Sequence, residues 1–196
     1  MNKQLLCIII LIFACSTASF SQNEEKIDGI IIPKTVVFSE KVLKLNGVGI
    51  RTKFWSDVYT QALYLTFLSK DSDEIIKSDT KMAMILNITS PLVTAKKFSK
   101  SLNNGIKKVL GENNWIKFKP ELDLLDATIN AEKIVENDIF NLIYNDTDQS
   151  IWIIKNGVVK GKIPGFEFKK AFFSIWLSNK PVNEKLKQNL LGITSK

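Results

Sequence analysis

The sequence predicts an α+β fold, a mainly antiparallel sheet with helices grouped against it. Three observations carry this. Short apolar runs separated by turn residues occupy both the first half of the chain and a block near its end. Longer segments with apolar residues at helical spacing lie together between and after those runs. Strands and helices do not alternate regularly, as parallel βαβ units would require.

The elements follow in order. Residues 22–26 are polar and read as loose chain. Ile27 to Ile32 and Thr35 to Phe38 read as strand pieces broken by Pro33, which suits a sheet edge. Val42 to Ile50 reads as a strand ending in a glycine-framed turn, and Val58 to Phe67 as a strand rich in Tyr, Leu and Thr. Strand alternation puts Tyr59, Gln61, Leu63 and Leu65 on one face and Val58, Thr60, Ala62 and Tyr64 on the other. Asp71 to Lys77 reads as a short helix and Lys81 to Ile88 as a buried strand. Thr94 is placed to cap a long helix ending at Leu110, before Gly111, with Phe98, Leu102, Ile106 and Val109 as its apolar face. Pro120 to Asn130 reads as a helix with Leu122, Leu125 and Ile129 inward. Ile139 to Tyr144, Ile151 to Lys155 and Val158 to Ile163 are strands, the last two joined by Asn156-Gly157, a strong hairpin signal. Gly165 to Trp176 is an aromatic-rich helix with Phe168, Phe172, Ile175 and Trp176 on one side, and Pro181 to Leu191 is a final amphipathic helix.

The amino-terminal 21 residues have the form of a secretory signal peptide: Lys3, an apolar stretch from Leu5 to Phe13, then small and polar residues to Ser21. The expected domains are therefore 1–21 as signal peptide and 22–196 as a single folded domain, secreted or periplasmic. Lipid attachment at Cys15 is the alternative. Cleavage after Ser21 removes both cysteines, Cys7 and Cys15, so the mature chain would hold no disulfide. The sequence has no histidine, which excludes Ser-His-Asp and Cys-His catalysis and the usual His/Cys zinc sites. No acidic cluster at ligand spacing is evident, so neither metal nor cofactor is expected. The mature chain carries 26 basic and 20 acidic residues, a net +6. Its lysines are scattered, which mostly means solvated surface. Peripheral association with an anionic membrane remains open, whereas an aromatic-basic motif for nucleic acid is missing.

One arginine, Arg51, stands against 26 lysines. It closes the stretch Leu45-Asn46-Gly47-Val48-Gly49-Ile50-Arg51. Arginine differs from lysine in a planar fork that grips a carboxylate or phosphate through two parallel hydrogen bonds. The two glycines let the backbone pass close to something or take an unusual conformation. The competing reading is a structural arginine paired within the chain, with Asp57 as the nearest candidate partner.

Four stretches in order resemble the chalcone isomerase-like family, in its bacterial secreted branch. They are Leu45 to Arg51; Val58-Tyr59 with Ala62-Leu63-Tyr64-Leu65; Asn156-Gly157 through Gly161-Lys162-Ile163-Pro164-Gly165-Phe166; and Phe173-Ser174-Ile175-Trp176-Leu177 with Pro181 and Leu186-Lys187. The resemblance implies a large, curved, mainly antiparallel sheet covered on one side by helices, with a ligand cleft between them. It also implies one of two activities. Plant members isomerise chalcones using an arginine with tyrosine, threonine, lysine and asparagine residues. Other members bind fatty acids, the matching arginine and a tyrosine holding the carboxylate. Arg51 takes the arginine position in both. The isomerase set is incomplete: Tyr59 stands at the threonine position, no tyrosine occurs between Pro91 and Ala95, and the family lysine corresponds only loosely to Lys96 or Lys97.

The expected ligand site is thus Arg51 with Tyr59, Tyr64 and Ser174, and a cleft wall of Phe98, Leu102, Phe172 and Trp176. A cationic fork and a phenol suit a carboxylate. An acyl tail gains about 0.8 kcal/mol per buried methylene, so ten would give roughly 8 kcal/mol before immobilisation costs. The first expectation is a non-enzymatic binder of a fatty acid or similar amphipathic carboxylate. An isomerase acting on an enone or chalcone-like substrate is the second, and a structural envelope protein with a filled cleft is the third.

Overall fold

The computed structural model describes residues 24–27, 29–53, 55–111 and 113–193. The proposed signal peptide, its cleavage point and Cys15 lie outside the described residues. The chain divides into two compact units between Pro33 and Lys34.

In the first unit, β1 (Glu24–Ile27) pairs antiparallel with β2 (Ile30–Pro33). The polar segment expected to be loose is thus a strand from Glu24, and the single strand expected over 27–32 is interrupted by a turn. Gly29 turns the chain at φ +80°, a region other residues avoid. The dipeptide Asp28-Gly29 is itself a hairpin signal that apolar periodicity overlooks.

The second unit begins with β3 (Thr35–Phe38), β4 (Lys41–Lys53), β5 (Ser56–Leu65), α1 (Ser72–Lys77), β6 (Met82–Ile88) and α2 (Ala95–Leu110). A 3₁₀ turn (Trp115–Phe118) leads into α3 (Lys119–Asn130). Then come β7 (Ile139–Asn145), β8 (Ser150–Lys155), β9 (Val158–Pro164), α4 (Phe166–Leu177) and α5 (Glu184–Leu190). Strands β3 to β9 form one sheet in chain order, every neighbouring pair antiparallel. Local chemistry sets the boundaries. Asp71 accepts hydrogen bonds from the Asp73 and Glu74 amides to start α1, Thr94 accepts from Lys97 to start α2, and Asn183 accepts from Leu186 to start α5. Asn156 and Gly157, at φ +49° and +79°, form the expected primed hairpin turn between β8 and β9.

The sheet has two different faces. On one, the register neighbours Leu63, Met84, Leu142 and Ile153 are fully buried. They belong to the core with Phe98, Leu102 and Ile106 of α2, Leu122, Leu125 and Ile129 of α3, and Phe168, Phe172 and Trp176 of α4. Each such side chain contributes about 1.5–3 kcal/mol by leaving water. On the other face lie Tyr64, Ala83, Ile143 and Trp152 in register. The Trp152 ring meets Phe38 of β3 edge-on, with centroids 5.3 Å apart. Strands β3 and β8 are five steps apart in the sheet, roughly 24 Å if it were flat. The sheet is therefore strongly curled, and its own side chains fill the inside of the curl.

Helix α4 is buried nearly all round rather than on one side. Even Lys169 is fully buried; its ammonium donates to the Ile75, Ile76 and Ser78 carbonyls at the end of α1. Burial pushes its pKa down to about 8, with nearby Asp79 opposing the shift and Lys170 adding to it.

Two irregularities in β4 set the direction of the arginine. Leu45 pairs with Tyr64 and Gly47 with Leu63, so Asn46 is an extra residue. Leu43 and Leu45 face the inside of the curl; beyond the bulge, Gly47, Gly49 and Arg51 face the helices. Asn46 is locked in place. Its amide donates to the carbonyls of Ser69 and Leu190 and accepts from the Ser69 amide, each at 2.9 Å. The glycines serve the close packing of α5 on β4. A Cβ on Gly47 would lie 2.1 Å from the Asn189 carbonyl oxygen, and one on Gly49 would lie 2.8 Å from the Asn189 Cβ. The glycines thus frame no turn, since β4 stays paired through them to Lys53, and the close backbone approach they permit is to α5, not to a ligand. Gly47→Ala must displace α5 from the sheet and should cost about 3 kcal/mol, read by urea unfolding as a lower midpoint at unchanged slope. An unchanged midpoint would show that α5 is not seated on β4 in this way.

Candidate ligand-binding site

Arg51 pairs across the ladder with Tyr59 of β5, so both side chains leave the same face. The next pair is Thr52 with Asp57, which leaves Val58 as an extra residue on β5. In a regular strand Val58 and Tyr59 would point to opposite faces; the bulge lets both line one cleft. The cleft has a volume of about 350 Å³. Arg51, Lys53 and Ser56 border it on the strand side, and Ser90, Leu92 and Val93 come from the loop after β6. Lys97, Phe98 and Ser101 come from the first turns of α2. The floor is apolar: Val58, Tyr59, Val93 and Phe98 are core residues or packed against the core, and the Phe98 ring meets Tyr59 edge-on at 6.5 Å.

Arg51 donates from Nη1 to the Val182 carbonyl at 2.5 Å. Among the described residues no carboxylate pairs with it. Asp57, the expected rival, accepts from the Thr52 hydroxyl at 2.8 Å. A guanidinium has five N–H donors in a fixed fork, so the bond to the Val182 carbonyl and the interaction with the Tyr59 oxygen leave donors and the whole charge available. The Tyr59 phenol is buried and accepts from the Trp176 indole at 3.0 Å. Burial raises its pKa above the ordinary tyrosine value, although Trp176 and Arg51 both favour ionisation. The phenol therefore keeps its proton throughout the physiological range. With its oxygen already accepting, that proton is what it has to offer a ligand.

The residues expected at the site separate into three groups. Arg51, Tyr59 and Phe98 come together at the cleft. Trp176 is buried behind Tyr59 and acts on the site through the indole hydrogen bond. Tyr64, Ser174, Leu102 and Phe172 do not line the cleft. Tyr64 is five residues from Tyr59, an odd spacing that turns it to the inside of the curl, where it is buried. Leu102 and Phe172 are buried in the core between helices and sheet, and Ser174 is a buried residue of α4. Sequence reading missed Val58, Leu92 and Val93. Val58 was assigned to the wrong face because a bulge leaves no periodic signal. Leu92 and Val93 sit in a loop without a motif, in the Pro91–Ala95 interval where the family's isomerases would place a tyrosine.

The family model for chalcone isomerase-like proteins matches residues 24–192. The chain belongs to the chalcone isomerase-like family. Among curated proteins no relative matches. Among solved structures, the chain is similar to a fatty-acid binding protein of Arabidopsis thaliana. The two share 17% identity at a TM-score of 0.68, over 86% of this chain and 95% of the plant protein. At that identity the likeness establishes the fold, a curled seven-stranded antiparallel sheet carrying five helices.

The phenol has a structural role that can be measured separately. Tyr59→Phe leaves the buried Trp176 N–H without its acceptor and should lower stability by about 1–3 kcal/mol in urea unfolding. An unchanged stability would mean that the indole does not depend on Tyr59.

Proposed function

We propose that this chalcone isomerase-like protein binds a fatty acid or similar amphipathic carboxylate without transforming it. One observation carries the reading: the single arginine opens onto an apolar cleft and has a carbonyl, not a carboxylate, as its partner. A ligand carboxylate would supply the missing counter-charge and accept hydrogen bonds from the guanidinium and from the Tyr59 hydroxyl. The tail would lie against Val58, Val93 and Phe98. The plant neighbour's description as a fatty-acid binding protein supports the same ligand class. The isomerase alternative gains nothing from the loop after β6, which presents Leu92 and Val93 rather than a phenol. The filled-cleft alternative is not favoured either, since a cleft is present and Asp57 is engaged by Thr52. The reading includes export directed by residues 1–21, with the net positive charge drawing the mature protein towards anionic membrane surfaces.

The test is lipid extraction of the purified protein followed by mass spectrometry, together with titration of added fatty acids. An acyl species should be recovered, and each added methylene should tighten binding about fourfold until the cleft is full. Arg51→Gln should weaken binding by about tenfold to a hundredfold while the protein remains folded. Recovery of no acyl species together with no affinity for added fatty acids would overturn the proposal.

A further inference from the structure

The carboxylate site has a second half. Beside the apolar cleft lies an open groove of about 470 Å³ that shares Arg51, Lys53, Lys97 and Ser101 with it. The groove continues along α2 past Lys100, Asn104 and Gly105 to Lys108, with Val182 on its far side. Positions 97, 100, 101, 104, 105 and 108 follow helical spacing, so they form one stripe. Eleven residues separate its ends, roughly 16 Å of helix. Five cations line the groove and, among the described residues, no carboxylate does.

Three of these cations are held by carbonyl oxygens. Arg51 donates to Val182, Lys108 to Pro181 at 3.0 Å, and Lys97 to Leu92 at 3.1 Å. A carbonyl positions a cation without neutralising it, so the groove keeps its field. Lys107 of α2, outside the stripe, instead stacks over the Trp115 ring, 3.9 Å from its centroid. One carboxylate needs only the Arg51 fork, which leaves Lys97, Lys100 and Lys108 of the stripe beyond what it can neutralise. A phosphate carries up to two charges and three acceptor oxygens at neutral pH.

We propose that the full ligand is a single-chain amphiphile with a phosphorylated head, its tail in the apolar cleft and its phosphate in the lysine groove. This rests on the apolar cleft being an acyl site. It would extend recognition from free fatty acids to phosphate esters of the same chain.

The experiment compares dodecanoate, dodecyl phosphate and inorganic phosphate by calorimetric titration at roughly 0.15 M salt. Three proteins are used: wild type, Lys100→Gln/Lys108→Gln, and the charge-matched Lys41→Gln/Lys44→Gln on exposed β4 positions. Wild type should bind dodecyl phosphate about tenfold or more tighter than dodecanoate, and inorganic phosphate much more weakly than either. The Lys100/Lys108 variant should lose most of that preference, and the Lys41/Lys44 variant should keep it. Equal affinities in wild type, a preference that survives in the Lys100/Lys108 variant, or inorganic phosphate binding as tightly as its dodecyl ester would each overturn the proposal. Dodecanoate binding without phosphate preference removes only the lysine groove from the account. Failure of both dodecyl ligands to bind removes the acyl site as well.

Discussion

The bulge at Asn46 sets the phase of β4, and the candidate site depends on that phase. Before it, Leu43 and Leu45 look into the curl; after it, Gly47, Gly49 and Arg51 look towards the helices. A regular strand would have turned Arg51 to the opposite face. The bulge is fixed by one amide that joins the loop after β5 and the end of α5 to β4. Gly47 and Gly49 then allow α5 to lie directly on the strand. The loop before α5 provides the Val182 carbonyl that holds the guanidinium. The hydrogen bonds of Asn46, the missing side chains of two glycines and the position of Arg51 are therefore consequences of one packing arrangement.

The site combines a charge that is oriented without being neutralised and a donor whose ionisation burial opposes. Tyr59 is pinned by Trp176 and desolvated, so its proton stays in place. Arg51 is pinned by a carbonyl, so its charge stays whole. For Tyr59, burial opposes the proton transfer that a general acid or base needs. In the proposed role both hold an anion. The second bulge, at Val58, adds an apolar wall next to them by turning consecutive residues of β5 to the same side.

Much of this was legible in the sequence. The cap at Thr94, the Asn156-Gly157 turn, and the periodicity of α2 and α3 are local signals, and local chemistry decides them. Arg51 and Tyr59 were legible through the oddity of a lone arginine and the family resemblance. What remained hidden depends on contacts distant in sequence. The glycines before Arg51 answer to Asn189, more than a hundred residues later. Tyr64 belongs to the curl interior, although alternation alone already separated it from Tyr59. Phe172 and Trp176 point into the core because α4 is buried all round, which a one-sided helical pattern understates. The hairpin of β1 and β2 was missed because its first strand is polar, and backbone pairing rather than apolar burial defines it.

The central claim is that Arg51 meets a ligand carboxylate as an ion pair inside the apolar cleft. The most direct measurement is a pH titration by ¹³C NMR of dodecanoate labelled at its carboxyl carbon, bound to the protein. An adjacent arginine should hold the bound carboxyl's pKa about one unit or more below that of the free acid, and Arg51→Gln should abolish the depression. A bound carboxyl whose pKa is unchanged or raised, or whose titration is the same in Arg51→Gln, would contradict the account.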